Sequence, residues 1–529
     1  MSRSESTRRW ALAMTRRPSV TGTADEASFA AWLAGNLTRD FPRADVWTFP
    51  VAPGDDRHCV AMLLRGQGAR TLVLTGHFDT VTVADYGDLA PLATEPDLLA
   101  PALLARLQGK AGTAAEVRAL ADLEAGAFLP GRGLLDMKAG LAAGLAVCEG
   151  FAETDAGNLL FLAVPDEEAS SAGARAAATM LPGIADARGL NLVGAVNLDA
   201  IADDGQGIAG QAIALGTIGK LLPFAFVAGR STHAGFPLAG VNAAVLAAAI
   251  AAEVEWAADL TDAAAGGTQP SLLMLRDGKA NYDVTTPGTA FAAFNVLNVT
   301  HDPARVLSTF DALCTTASSR ALSALAARAP EAGLPATLPV MRFSALDAQV
   351  KADDPQAHAA ARADLPPQTA LPDLCRIITT RLWQASGLPG PAVVTGFGSM
   401  PYLPTQLSDR PEARRLHAAA TGAAEQTAQD HGTPIRLDAV FAGISDMSFL
   451  GEADEAALSV IAGETPVWGG AIDWPEKGGI AGLPIVNAGP WGRDYHTPLE
   501  RVHTRYAFEV LPDLIAAIAV RMLGDGNEP

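Results

Sequence analysis

Apolar and polar positions follow two different periods along this chain. Unbroken apolar runs of strand length recur as TLVLTG, NLLFLAV, LVGAVNL and LPIVNAG, and such runs predict strands covered on both faces of a parallel or mixed sheet. Between them lie segments of helical period, among them ASFAAWLAGNL and MKAGLAAGLAVCEGF. Thr23 and Glu26 have the spacing of a capping box ahead of the first. The glycine and alanine density of the second predicts a helix lying close against the sheet. Strands are also expected around VWTFPV and CVAMLLRG, so the chain opens as an α/β domain.

Residues 81–130 interrupt this alternation with a Leu- and Ala-rich insertion, read as helices over the rim of a site. From about residue 209 the order becomes strand (AIALGTIGKLLPFAFVAG), helix, strand (PSLLMLRD), strand (GTAFAAFNVLNV) and helix. A β-α-β-β-α order with long helices predicts a small independent layer, inserted into the larger domain. The expected division is therefore 1–208 and 391–529 for the larger domain and 209–390 for the insert. The domain of 331–390 is left open, and the strand PAVVTGF at 391 is read as the return to the main sheet.

A chain of 529 residues exceeds one ordinary core, consistent with two domains. Its hydrophobic content of 49% with 6% aromatics describes a globular core built from Ala, Leu and Val. A formal charge of −20 argues against nucleic acid and anionic membranes as partners. Cys59, Cys148, Cys314 and Cys375 form no C-x-x-C pair, which points to reduced thiols rather than a disulfide framework. The N-terminal apolar stretch WALAM is too short for a signal peptide, and no run approaches about 18 apolar residues, so a cytoplasmic protein is expected.

Seven ionisable residues in five patches carry the candidate chemistry: His77 and Asp79 in TGHFDT, Asp136 in GRGLLDMKAG, Glu167 and Glu168 in VPDEEAS, Asp199 in VNLDA, and His496 in GRDYHTPLE. Four of the patches follow strand-like apolar runs, and open α/β sheets bind ligands beyond the carboxyl ends of their strands. Capping of the following helix or turn accounts for any one patch, but not for all of them together. Two imidazoles with several carboxylates suit a pair of divalent ions, most often zinc, sharing one carboxylate.

The order H-x-D-T, G-R-G-x-x-D-M-K-x-G, D-E-E, Asp199, S-T-H-A-G and Y-H-T-P-x-E resembles the M20 metallopeptidase and aminoacylase family over nearly the whole chain. Within it, HFDTV followed by ADYG, the insertion before GRGLLDMKAG, NYDVTTPGTAFAAFNVL, GISDMSFLG and NAGPWGRDYHTPLERV resemble the RocB-type arginine-utilisation branch. The resemblance implies a zinc-peptidase-like mixed sheet flanked by helices, with a ferredoxin-like α+β lid that often forms homodimers. It implies two divalent ions, zinc or else cobalt or manganese: His77 and Asp199 on one, Glu168 and His496 on the other, and Asp136 between them. By the same resemblance Asp79 orients His77, Glu167 is the general base, His233 in GRSTHAGFP stabilises the oxyanion, and Asn242 accompanies His233.

Some readings stay open. Asn242 is equally a helix cap, and Asp446 in AGISDMSFLG is either a pocket residue or a turn acid. Arg493 is a cation near the site or a surface residue. The lid strand reads Asn295-Val296-Leu297 where many M20 enzymes have an Asp-x-Arg pattern, which removes the usual lid arginine. The leading expectation is hydrolysis of a C–N amide bond in a small peptide or N-acyl amino acid. The alternatives are a non-catalytic metal-binding or regulatory protein on this scaffold and a co-catalytic aminopeptidase, for which no site for a free α-amine is evident.

Overall fold

A computed structural model describes residues 1–203, 210–330, 336–367, 369–441, 443–452, 454–474 and 482–524. The chain divides into two compact units, Met1–Thr217 with Thr405–Glu452 and Pro475–Pro529, and Ile218–Pro404 with Ala453–Trp474. The boundary expected at 208–209 and the 331 end of the open segment lie outside the described residues.

The larger unit is built on an eight-stranded mixed sheet. Its centre is Gln67–His77, which runs parallel to Ala156–Val164 on one side and to Asn191–Asn197 on the other. These are the strands whose apolar runs are unbroken, as burial on both faces requires. On one face Val60, Met62 and Leu64 join a core with Phe29, Leu33, Leu141, Leu145, Leu514 and Ile518 from the covering helices. Cys59 points to the other face, where its thiol meets the carbonyl of Gly173 at the start of Ala172–Arg188. Helix Ala139–Glu149 does lie close: a Cβ on Gly140 would come within 1.9 Å of the Leu198 carbonyl oxygen.

The capping box expected at Thr23 does not form. The Thr23 hydroxyl donates to Val20 O at 2.6 Å, and Glu26 accepts from Gly22 N at 2.6 Å instead of from its cap. Full boxes stand at Ser2/Glu5 and Thr113/Glu116.

In the smaller unit Pro223–Ala228, Thr289–Asn298 and Ser271–Asp277 form antiparallel pairs, and Gly219–Leu221 adds to Thr289–Asn298. Ala225 and Val227 face the helices Ala243–Val254 and Pro303–Ala326, while Phe226 on the opposite face meets Trp383 of Leu371–Ser386 at 6.2 Å. One element departs from the sequence reading. Ala392–Phe397, expected to rejoin the main sheet, pairs antiparallel with Pro223–Ala228 and parallel with Val340–Arg342 in the smaller sheet. Its apolar pattern satisfies a covered position in either sheet, so pattern alone does not choose. The chain returns to the larger unit at Thr405, where Thr405–Gln406 pairs with Gly216–Thr217. Among the described residues no helix is long and apolar enough to cross a membrane.

Candidate metal centre

Three neighbouring parallel strands end at one edge of the large sheet. His77 is the last residue of its strand, opposite Val164, and Thr75 on the same strand lies opposite Asn197. Glu167 and Glu168 therefore follow one neighbouring strand end, and Asp199 follows the other. The turn with the glutamates is held from two sides. Asp166, at φ +72°, accepts from Ser170 Oγ at 2.5 Å and from Ala172 N at 3.1 Å, and pairs with Arg57. Asp79 accepts from Glu167 N at 3.1 Å, Glu168 N at 3.2 Å and Thr21 Oγ1 at 2.9 Å.

Asp79 thus sets both glutamates, a task beyond the orientation of His77. Its carboxylate lies 3.5 Å from His77 Nδ1, while its backbone carbonyl is nearer at 3.1 Å. Nδ1–H facing a carbonyl leaves Nε2 to face the cluster.

The other two patches come from a second sheet. Phe128–Pro130, Arg501–His503, Trp491–Arg493 and Ile201–Ala202 form four short strands in that order. His496 is thus carried on the loop of the hairpin formed by Trp491–Arg493 and Arg501–His503, at φ +60°, rather than at an end of the main sheet. Gly489 lets the chain pass against Asp199, whose carbonyl oxygen a Cβ would approach to 1.8 Å. Asp136 follows the turn after Phe128–Pro130. There the buried Glu500 accepts from Gly133 N at 2.9 Å and from Arg132 Nη1 at 2.7 Å.

The five patches converge. Asp136 Oδ1 lies 3.1 Å from His77 Nε2, and its Oδ2 lies 3.1 Å from His496 Nε2. Asp199 Oδ1 is 3.6 Å from His77 Nε2, and Glu168 Oε1 is 3.0 Å from His496 Nε2. His77, Asp136 and Asp199 make one set of ligand atoms mutually within 4.8 Å, and Asp136, Glu168 and His496 make another. Glu167 belongs to neither set, although its Oε2 comes to 4.0 Å from His77 Nε2.

Electrostatics give this arrangement its chemical sense. Burial pushes the carboxyls of Glu167, Glu168 and Asp199 above their ordinary values, and neighbouring acids add to the effect. Asp136 alone is held below, because its contacts with both imidazoles outweigh burial. The imidazoles are held up in turn: burial works against protonated His77 and His496, but the surrounding carboxylates prevail. So many buried acids around two rings require added positive charge, and two sets of N/O donors joined by one carboxylate fit a divalent pair.

Other expected residues sit differently. Asp446 is buried, and burial pushes it up to about 7 although a side-chain contact with Ser171 opposes the shift. It lies close enough for its charge to act on Glu167. Arg493 is not a free cation near substrate: its guanidinium binds both oxygens of Asp122, at 2.7 and 2.8 Å, and Asp203 at 3.2 Å. Asn242 caps Ala243–Val254 by accepting from Ala244 N at 3.0 Å. His233 lies in the smaller unit on an exposed loop, its Nδ1 accepting from Gly235 N at 3.0 Å. Sequence reasoning missed Arg132 and Glu500, although both lie inside quoted motifs. It also missed Asp122, for which no motif signals.

Residues 73–467 match the model of peptidase family M20/M25/M40, which is most of the chain. The chain belongs to this family. It is thus a metallohydrolase of M20 type. Relatives of the M20 chain include the uncharacterised protein YqjN of Bacillus subtilis (strain 168), 29% identical over 94% of this chain and 93% of that one. Protein RocB of the same organism is 27% identical over 96% of this chain and 93% of its own length. Among solved structures, a tripeptidase from Staphylococcus aureus superposes with a TM-score of 0.52 at 15% identity, covering 98% of each chain. Aminopeptidase PepT from Bacillus cereus gives 0.53 at 14%, covering 98% of this chain and 99% of the other. These two likenesses carry the M20 fold: mixed α/β, with sheets flanked by helices in two domains.

Proposed function

We propose that this M20 protein hydrolyses a C–N amide bond in a small peptide or N-acyl amino acid, using two divalent ions. One observation carries the reading: the two oxygens of Asp136 each stand 3.1 Å from a different imidazole, and each imidazole has its own further acid. His77 and Asp199 would hold one ion, Glu168 and His496 the other, and Asp136 both. Zinc suits this mixture of nitrogen and carboxylate donors, with cobalt or manganese as substitutes.

When bound, such a pair supplies Lewis acidity toward the scissile carbonyl and lowers the pKa of water from about 15.7 toward about 7. The chain's own residues do the rest. Glu167, beside the cluster yet outside both ligand sets, accepts the proton of the attacking water and passes it to the departing nitrogen. Asp79 fixes the backbone from which Glu167 and Glu168 project. The likeness to RocB over most of the chain supports a substrate from arginine-related metabolism. Four buried, unpaired cysteines support a reducing compartment such as the cytoplasm.

Glu167→Gln tests the assignment. Turnover on dipeptides and acyl-amino acids should fall on the order of 10²–10⁴-fold, while metal content by elemental analysis stays near that of the native chain. Full activity in this variant removes Glu167 from the chemistry. Metal uptake by the native chain with no turnover on any amide would favour a binding protein instead.

A further inference from the structure

The insertion 81–130 lies outside the residues so far given a role, yet it grips the loop that carries His496 at both ends. We propose that Asp122, on the insertion's helix Ala114–Glu124, is a positioning residue that sets His496 for its ion. The proposal rests on His496 being a ligand, as argued above.

A charge conflict lies at the base of the loop. Arg493 and Arg501 face each other directly across the hairpin, and like charges in that relation repel. Both side chains are also largely withdrawn from water, at 11% and 0% exposure, so solvent screens them weakly. Asp122 resolves the conflict. Its Oδ2 accepts from Arg501 Nε at 2.8 Å and Nη2 at 2.6 Å, while Arg493 Nη1 reaches Oδ1 at 2.7 Å and Oδ2 at 2.8 Å. The Phe128 ring lies against both guanidiniums, 4.9 and 5.6 Å from its centre. Asp203 also pairs with Arg493 and Asp494 with Arg501, but Asp122 is the acid that binds both guanidiniums and so ties the two strands of the hairpin together.

From that base the fixation runs to the imidazole. Arg501 Nη1 donates to Asp494 Oδ2 at 2.6 Å, and the Thr497 hydroxyl donates to Asp494 O at 2.7 Å, which closes a turn around His496. Asp494 and His496 both have positive φ, a backbone state that non-glycine residues keep only when their surroundings impose it. At the far end Leu499 packs on the insertion's own core of Tyr86, Leu99, Leu103 and Leu107. Glu500 is held by Arg132, which also donates to Asp85 at 2.6 Å. The His496 side chain is 42% exposed, and its close polar contacts are the acids Asp136 and Glu168. Its place is therefore set by the loop backbone, and the loop is set largely by the insertion.

The test compares Asp122→Asn with His496→Ala by calorimetric titration of the metal-free full chain with zinc, and by the visible spectrum of successive cobalt equivalents. His496→Ala should weaken one of the two ions, which identifies it. Asp122→Asn should weaken that same ion about 10–100-fold and leave the other within about twofold, with the cobalt spectrum of the affected site altered. Asp122→Glu, which keeps the charge, should recover part of the loss. Where Asp122→Asn does not fold, Asp122→Glu alone is read in its place, and its longer side chain should still weaken that same ion more than the other. Both ions unchanged, or both weakened equally, overturns the positioning role. If His496→Ala itself leaves both affinities intact, the ligand assignment fails, and that failure is distinct from failure of the Asp122 proposal.

Discussion

Asp136 in the larger unit and Asp262 in the smaller one are both buried acids, and they are satisfied in opposite ways. Asp262 accepts from Val299 N at 2.8 Å, Thr300 N at 2.6 Å, His301 N at 3.3 Å, Ala264 N at 3.0 Å and the Thr300 hydroxyl at 3.0 Å. Neutral backbone donors meet its charge completely, so this acid is part of the architecture and needs no ion. Asp136 by contrast faces two imidazoles, each 3.1 Å from one of its oxygens, with the carboxyls of Asp199 and Glu168 close by. On the proposed function, the difference separates a structural carboxylate from one that serves the ions. Donors supplied by the fold close the first, whereas the second is left to be closed by something the fold does not supply.

The largest effect should come from breaking that second arrangement at its shared member. Asp136→Asn removes one negative charge from both ligand sets at once, so activity should fall on the order of 10³-fold or more, with both ions lost. Thermal unfolding sharpens the comparison. Zinc at about 100 times its Kd should stabilise the native chain by about 2.7 kcal/mol, Asp136→Asn should lose that gain, and Asp262→Asn should keep it in full. A metal-induced shift that survives in Asp136→Asn would erase the distinction between the two acids.

Asp79→Asn should act less severely, because Asp79 belongs to the support of the cluster. The amide keeps one acceptor oxygen but turns an NH₂ toward one of the two peptide N–H groups, of Glu167 or Glu168, that the carboxylate now accepts. Expected is a fall in kcat of about 10–100-fold with metal content near normal, read by steady-state kinetics beside elemental analysis. Loss of both ions in this variant would instead make Asp79 part of the ligand system.

Much of the centre was legible in the sequence because parallel strands impose it. His77, Glu167, Glu168 and Asp199 each stand at the end of an unbroken apolar run, and the strands pair side by side. The His496 hairpin was less legible. Its strands are three residues each, too short to show a period of two, and LPIVNAG before it forms Ile485–Asn487 on the main sheet instead of delivering His496 directly. Asp122 carries no signal at all: an acid on an exposed-looking helix reads as a solvated face, and its partners are 371 and 379 residues away. The strand at 392 was misplaced for a related reason, since burial is written in a strand's composition but its choice of sheet is not. At Thr23 the local pattern was right for a cap, yet Glu26 is drawn to Gly22 N.

The smallest effect on activity, and the other side of the comparison, is expected at Asp262. Its backbone donors outweigh burial and hold the carboxyl below its ordinary value of 3.8. A depressed folded-state value means that the ionised acid stabilises the fold above the unfolded value, and that this stabilisation is lost as pH falls through the folded value. Asp262→Asn should therefore lower stability at pH 7 by about 1–3 kcal/mol, measured by urea unfolding. The gap from the native chain should narrow steadily below about pH 4, where Asp262 of the unfolded chain takes up a proton while the folded carboxyl still stays ionised. Metal affinity and kcat at pH 7 should stay within about twofold, because no ligand is touched. A gap that persists undiminished at pH 3 would mean that the shape of the side chain, and not its charge, closes this site, and Asp262 would then no longer stand as the charged counterpart of Asp136.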